Sequence, residues 1–213
     1  MKGKINLVFD WKSMGFNAYV PFLAAFFILG YSFLAKNDAS RIIPALEFSF
    51  PIFAAWWSVF LFYDLLEEPG SETIFTYPVS RWSLGITRVL SYFALYLFLL
   101  FFLLWIVDAF AAPGIFAPMY VQLAIQSFFY CTLGFVSMAA TLNAGWSLVI
   151  VVIYSSTQIL TRGELFPWIN IYLFNQDILD VGDMIPMLSL AVFFGILNLG
   201  VGQYLIHTLK RFH

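Results

Sequence analysis

Six long apolar runs leave this chain little choice of fold. They fall at residues 18–35, 43–65, 83–107, 119–140, 144–160 and 184–207. A bilayer core of roughly 30 Å takes about 20 apolar residues per helix, so each run is long enough to cross one. The remaining composition agrees. The chain is 62% hydrophobic and 10% charged over 213 residues, where soluble domains are about a quarter charged, and its mean hydropathy is +0.88. The expected fold class is therefore all-α, a polytopic membrane protein with six transmembrane helices. Residues 1–213 form one transmembrane domain, with no stretch left over for a soluble catalytic domain.

The chain between the runs sets boundaries and orientation. Residues 1–17 mix Ile5, Val8, Phe9 and Trp11 with Lys2, Lys4, Asp10 and Lys12, which predicts an interfacial N-terminal helix. Pro51 predicts a kink in the second span. Glu47 is expected near that span's boundary, solvated or paired with Arg41. Only Thr141, Leu142 and Asn143 join the fourth and fifth spans, which forces an antiparallel pair. Lys2, Lys4, Lys12, Arg81, Arg88, Lys210 and Arg211 fall on one side, and Lys36, Arg41 and Arg162 on the other. Seven basic residues against three put both termini in the cytoplasm. Tryptophans 11, 56, 57, 82, 105 and 168 are expected in the interfacial belts.

Two connections are not ordinary loops. Residues 161–183, on the outer side, are too long for a turn and too apolar for a free loop. They read as a re-entrant or surface-lying segment. Asp177, Asp180 and Asp183 would share one helical face if a helix continued there, a solvated acidic face rather than a cation site. Residues 67–81, EEPGSETIFTYPVSR, fall between the second and third spans. Glu67, Glu68 and Glu72 suit the positive end of a helix, and Pro69 suits its first turn. Ile74, Phe75 and Tyr77 offer apolar matter to the interface or to a partner. Pro78 ends the segment, Ser80 can cap the third span, and Arg81, Trp82 and Arg88 anchor it. The reading is a short stiff helix on the cytoplasmic surface, between two spans.

The run Glu72, Thr73, Ile74, Phe75, Thr76, Tyr77, Pro78, Val79, Ser80, Arg81 resembles the coupling-helix segment of the ABC-2 type transporter permease family. Members tend to carry a Glu, Leu-rich residues and then Ser-x-Pro-Val-Ser-Arg between their second and third spans. Here Pro69, Gly70 and Ser71 stand where the family has Gly-Thr-Leu, and Thr73 stands in place of a leucine. The six-span layout is also similar. The resemblance implies a permease subunit of an ATP-driven exporter in a prokaryotic cell membrane. A separate ABC ATPase subunit would bind ATP and Mg, since no G-x-x-x-x-G-K-[ST] loop occurs in this sequence. It would contact Glu68, Glu72, Ile74, Phe75, Thr76, Tyr77, Pro78, Val79, Ser80 and Arg81. A second permease copy or paralogue would complete the pathway.

Other signals are weaker. Gln122 and Gln126 lie one turn apart on the fourth span and, with Asn143, Gln158, Asn198 and Gln203, read as interhelical glue, with pathway lining as the second reading. With no ionisable group expected in mid-span, a proton- or ion-driven carrier is disfavoured. Gly200 and Gly202 read as close helix packing, and lone Cys131 as a space-filling residue. No catalytic residue, metal site or cofactor is expected in this chain, and no basic block suggests nucleic acid; membrane lipid is the other partner. Uncharged, aromatic span interiors suit an amphipathic or hydrophobic cargo such as an antimicrobial peptide, a drug or a lipid. The alternatives are an intramembrane protease-like enzyme or a structural or immunity membrane protein. Glu67 and Glu68 lack the arginine that paired-glutamate proteases carry, because Glu72 stands there. Gly145, Trp146 and Ser147 with His207 lack the second glycine of a rhomboid-like site, where Leu148 stands.

Overall fold

A computed structural model describes residues 7–68 and 81–208. These residues are all-helical, with 82% helix and no strands. Six helices are long and apolar enough to cross a membrane, the architecture of a multi-pass membrane protein: Gly15–Leu34, Ala39–Leu66, Ile86–Phe110, Phe116–Thr141, Ala144–Thr161 and Val181–Thr208. Each matches one apolar run within a few residues. We call them the first to sixth spans.

The fourth span is the hub, packing against the sixth, second, third and fifth. Its most apolar window is 67% buried and that of the second span 61%, while the other four bury 28–33%. Lipid tails supply no hydrophobic drive between helices, so close approach of small residues matters more. Gly134 supplies it. A Cβ there would lie 2.8 Å from the carbonyl oxygen of Ala55 on the second span. Gly202 lets the Phe135 ring lie against the sixth span, 2.6 Å from where a Cβ would be, whereas Gly200 faces open space. Cys131 is buried in the same core.

The second span is not one rod. It comprises Ala39–Ser49, Ile52–Leu61 and Tyr63–Leu66, so its ladder is interrupted at Phe50 and Pro51, where the missing N–H predicts a break. The Phe50 carbonyl at the break accepts a hydrogen bond from the Tyr96 hydroxyl of the third span. That carbonyl also accepts from the Phe53 N–H at 3.1 Å, so the third span is fastened at the point where the second breaks. Trp57, expected in an interfacial belt, is instead 2% exposed and donates from its indole to the Ala18 carbonyl at 2.9 Å. Trp82, Trp105 and Trp168 are exposed.

Hydrogen bonds between the connections show which ones share an end. Asn37 N–H donates to the Ala111 carbonyl at 2.8 Å, joining the turn between spans one and two to the turn between three and four. At the other end lie the N-terminal helix, the 2–3 and 4–5 connections and the close of the sixth span. Residues 7–13 form that helix, followed by a 3-10 turn, Gly15–Tyr19, that runs into the first span. Val8 and Phe9 are exposed while Asp10 is 5% exposed. The Asp10 carboxylate pairs with Arg88 of the third span at 2.7 Å, and the guanidinium lies 5.7 Å from the Phe62 ring centroid. The sequence placed Arg88 among the headgroup anchors; it is buried with a counter-charge instead. Removing one member of a buried pair strands the other charge. Arg88→Leu is expected to cost about 3–5 kcal/mol in detergent unfolding. Asp10→Asn with Arg88→Leu should cost less than Arg88→Leu alone, and equal costs would contradict the pairing.

Candidate functional site

The most unusual chemistry in the bundle is at Glu47. The second span begins at Ala39, four residues earlier than the apolar run suggested, so Glu47 lies about 12 Å along the helix at 1.5 Å per residue. It is 0% exposed, which corrects the solvated placement. Arg41 is not its partner either: its guanidinium pairs with half-buried Asp38 at 2.9 Å. The absence of a buried ionisable group, on which an ion-driven carrier was disfavoured, therefore does not hold.

One oxygen of Glu47 receives three donors. Gln122 Nε2 and Gln126 Nε2 of the fourth span each donate to Oε1 at 2.9 Å, and the Leu173 backbone N–H donates to it at 2.7 Å. Gln126 also donates to the Ile171 carbonyl at 2.9 Å, and Gln122 to Asn175 Oδ1 at 3.3 Å. The glutamines are interhelical glue, as their spacing suggested, and what they bind is a carboxyl group. Leu173 belongs to the connection between the fifth and sixth spans. After the 3-10 turn Pro167–Ile169 that chain runs extended, with Ile171 and Tyr172 each 2% exposed. Its backbone thereby covers the carboxyl. The Tyr172 hydroxyl bonds that of Tyr130 on the fourth span, and the Tyr154 hydroxyl donates to the Ile169 carbonyl at 2.6 Å. Burial pushes the Tyr172 phenol up, the bond to Tyr130 pulls it part of the way back, and a charge on Glu47 raises it again. Asp177 and Asp180 precede the sixth span, which opens at Val181, so the three aspartates do not share a helical face. Among the described residues no group of His, Cys, Asp and Glu could hold a metal ion.

At the opposite end, two polar contacts flank the 2–3 connection. Glu67 was expected to open a helix of its own. Its carboxylate instead caps the fifth span, accepting from the Ala144 N–H at 2.6 Å and from Asn143 Nδ2 at 2.9 Å. An acid at a helix amino end meets unpaired N–H groups and a favourable dipole. Beyond the connection, Gln203 of the sixth span accepts from the Ile86 N–H at 3.0 Å; a Cβ on neighbouring Gly85 would lie 2.0 Å from that Gln203 oxygen. Of the expected ATPase-contact residues, Glu68 is exposed and Arg81 opens the single-turn helix Arg81–Leu84. Glu72, Ile74, Phe75, Thr76, Tyr77, Pro78, Val79 and Ser80 lie outside the described residues. Ser147 is 0% exposed; its hydroxyl donates to the Asn143 carbonyl at 2.7 Å and lies 2.8 Å from that of Thr141.

An open-sided groove of about 410 Å3 runs between the first and second spans, lined by Ala24, Phe27, Ile28, Tyr31, Ala45 and Ser49 among others. No family model, no curated protein and no solved structure matches the chain.

Glu47 was missed because its distance from the end of an apolar run was taken as its depth. Two glutamines one turn apart in an apolar helix signalled a buried partner, and Glu47 was one of the few acids within the facing spans, with Asp64 and Asp108. Glu47→Ala leaves the Leu173 N–H buried without an acceptor and is expected to cost about 1–3 kcal/mol, more than Glu47→Gln, in unfolding monitored by circular dichroism. Unchanged stability in Glu47→Ala would contradict the cluster.

Proposed function

We propose that this chain is the permease subunit of an ATP-driven ABC transporter of the ABC-2 type. It exports an amphipathic or hydrophobic compound from a cell whose cytoplasm faces the 2–3 connection and both termini. A separate ATPase subunit docks on residues 68–81, and a second permease copy or paralogue completes the pathway.

The observation that carries this reading is where the resemblance falls. The run Glu72 to Arg81 lies between two fastened points, Glu67 on the fifth span's amino end and Ile86 on Gln203 of the sixth. A push on the connection between them reaches the second and fifth spans on one side and the third and sixth on the other. A loosely tethered loop would dissipate it. The apolar groove beside Tyr31 and Ser49 suits a cargo that is mostly hydrocarbon with a few polar groups. Ser147 and Glu67, the acids and hydroxyls that a protease would need free, are occupied in capping bonds, which favours transport over peptide hydrolysis.

Two experiments test this. The tagged chain, extracted from native membranes, is expected to bring a nucleotide-binding subunit with it, and Thr76→Cys is expected to crosslink to that subunit. Purification of the chain alone from membranes in which it is active would overturn the proposal. Glu67→Ala should leave the ATPase subunit bound while transport per ATP hydrolysed falls about fivefold or more, the range of ordinary coupling energies.

A further inference from the structure

The Glu47 cluster is short of hydrogen-bond donors. Oε1 takes three N–H groups and the Phe174 N–H also approaches the carboxyl, while Glu47 Oε2, Gln122 Oε1 and Gln126 Oε1 are buried with no hydrogen bond of their own. Turning over either amide would set its oxygen against Glu47 Oε1, so a different assignment of the amides leaves the shortage in place. The charge is unanswered as well. The two ion pairs among the described residues are Arg41–Asp38 and Arg88–Asp10, and neither involves Glu47. An uncompensated carboxylate in such a place costs several kcal/mol.

One proton resolves both. It neutralises the carboxyl and turns Oε2 from an unanswered acceptor into a donor, in a pocket where two amide oxygens, Gln122 Oε1 and Gln126 Oε1, have none. A divalent cation fits less well, because it asks for about six oxygens and Oε1 already faces three N–H groups. We propose that Glu47 is a proton-binding site, and that the bound proton keeps residues 170–175 docked over the second and fourth spans. Docking takes one proton from water onto Oε2, and undocking returns it to water; no other group changes oxidation state or covalent partner.

The neighbouring groups leave Glu47 as the one that titrates. The extended segment contributes Tyr172 and Asn175, and the fourth span contributes Gln122, Gln126 and Tyr130, with the two phenols bonded to each other. On its own span, Asp38 and Arg41 pair at the exposed opening. From the third span, Asp108 accepts the Phe116 N–H at 3.0 Å. Asp177, Asp180 and Asp183, leading into the sixth span, are exposed. The docked state binds a proton that the undocked state does not, so docking is favoured at low pH and weakens as pH rises. The inference does not depend on an ATPase partner.

The test uses the intact chain in lipid nanodiscs, together with any subunit that copurifies. Ile171→Cys, in a Cys131→Ala background, is labelled with a membrane-impermeant maleimide across a pH series. Each rate is divided by that of the same cysteine in the Glu47→Gln chain, which cancels the thiol's own pH dependence. The ratio is expected to rise with pH by up to about tenfold per unit, the slope for one proton. A flat ratio overturns the proposal, as does a ratio that follows sodium, potassium or calcium at fixed pH. Infrared spectroscopy gives a second measurement on the unsubstituted chain, which also decides the matter if Glu47→Gln does not fold. A protonated-carboxyl band that resists exchange into D2O and fades as pH rises supports the site, and absence of that band at every pH refutes it.

Discussion

Within a bilayer there is no water to answer a polar group, so each one must be met by another part of the chain. That constraint acts most strongly at Glu47. Its answers come from the fourth span and from the backbone of the connection before the sixth. One carboxyl thus gathers three pieces of chain widely separated in sequence. The fourth span is the hub partly for this reason: it brings both glutamines to the carboxyl and, about two turns further along, Gly134 to the backbone of the second span. Apolar packing gives the bundle its mass, and the polar knots fix which helix lies beside which.

The knots are divided between the two ends. Glu47 with Gln122, Gln126 and Leu173 closes one. Asp10–Arg88, Glu67–Ala144 and Gln203–Ile86 close the other. An acid lies toward each end of the second span, Glu47 within it and Glu67 just past its last residue, twenty residues apart or roughly 30 Å at helical rise, with the Phe50–Pro51 break between them. A displacement applied near Glu67 therefore meets an interruption before it reaches the buried carboxyl. That geometry suits a helix whose two halves tilt separately, and it gives physical form to the proposed transmission from the 2–3 connection to the far side.

The fold was largely legible because it rests on length and hydropathy. Six apolar runs gave six helices, Pro51 gave a break, and a three-residue link gave an antiparallel pair. What stayed hidden depends on contacts between distant residues. Glu47 looked like a boundary acid because nothing local to it reveals that residues 170–175 fold over it. Trp57 and Arg88 looked like interfacial anchors because residue type alone does not tell a headgroup from Ala18 or from Asp10. Glu67 sits beside Pro69 in sequence, yet the N–H groups it answers belong to a helix that starts at Ala144. Gln122 and Gln126 were the readable exception, since two amides one turn apart in an apolar helix must have a partner, even when its name is not given.

The Glu47 knot is the claim on which the account of the bundle rests, and a double-mutant cycle tests it directly. Unfolding free energies of the parent, Glu47→Ala, Gln126→Ala and the double variant would be measured in the same bicelles. Groups in one hydrogen-bond network couple by about 0.5–3 kcal/mol, whereas independent sites add within about 0.3–0.5 kcal/mol. A coupling in the first range is the expected result. Additive losses would mean that the carboxyl and the glutamine do not meet, and the arrangement of the second and fourth spans described above would be wrong.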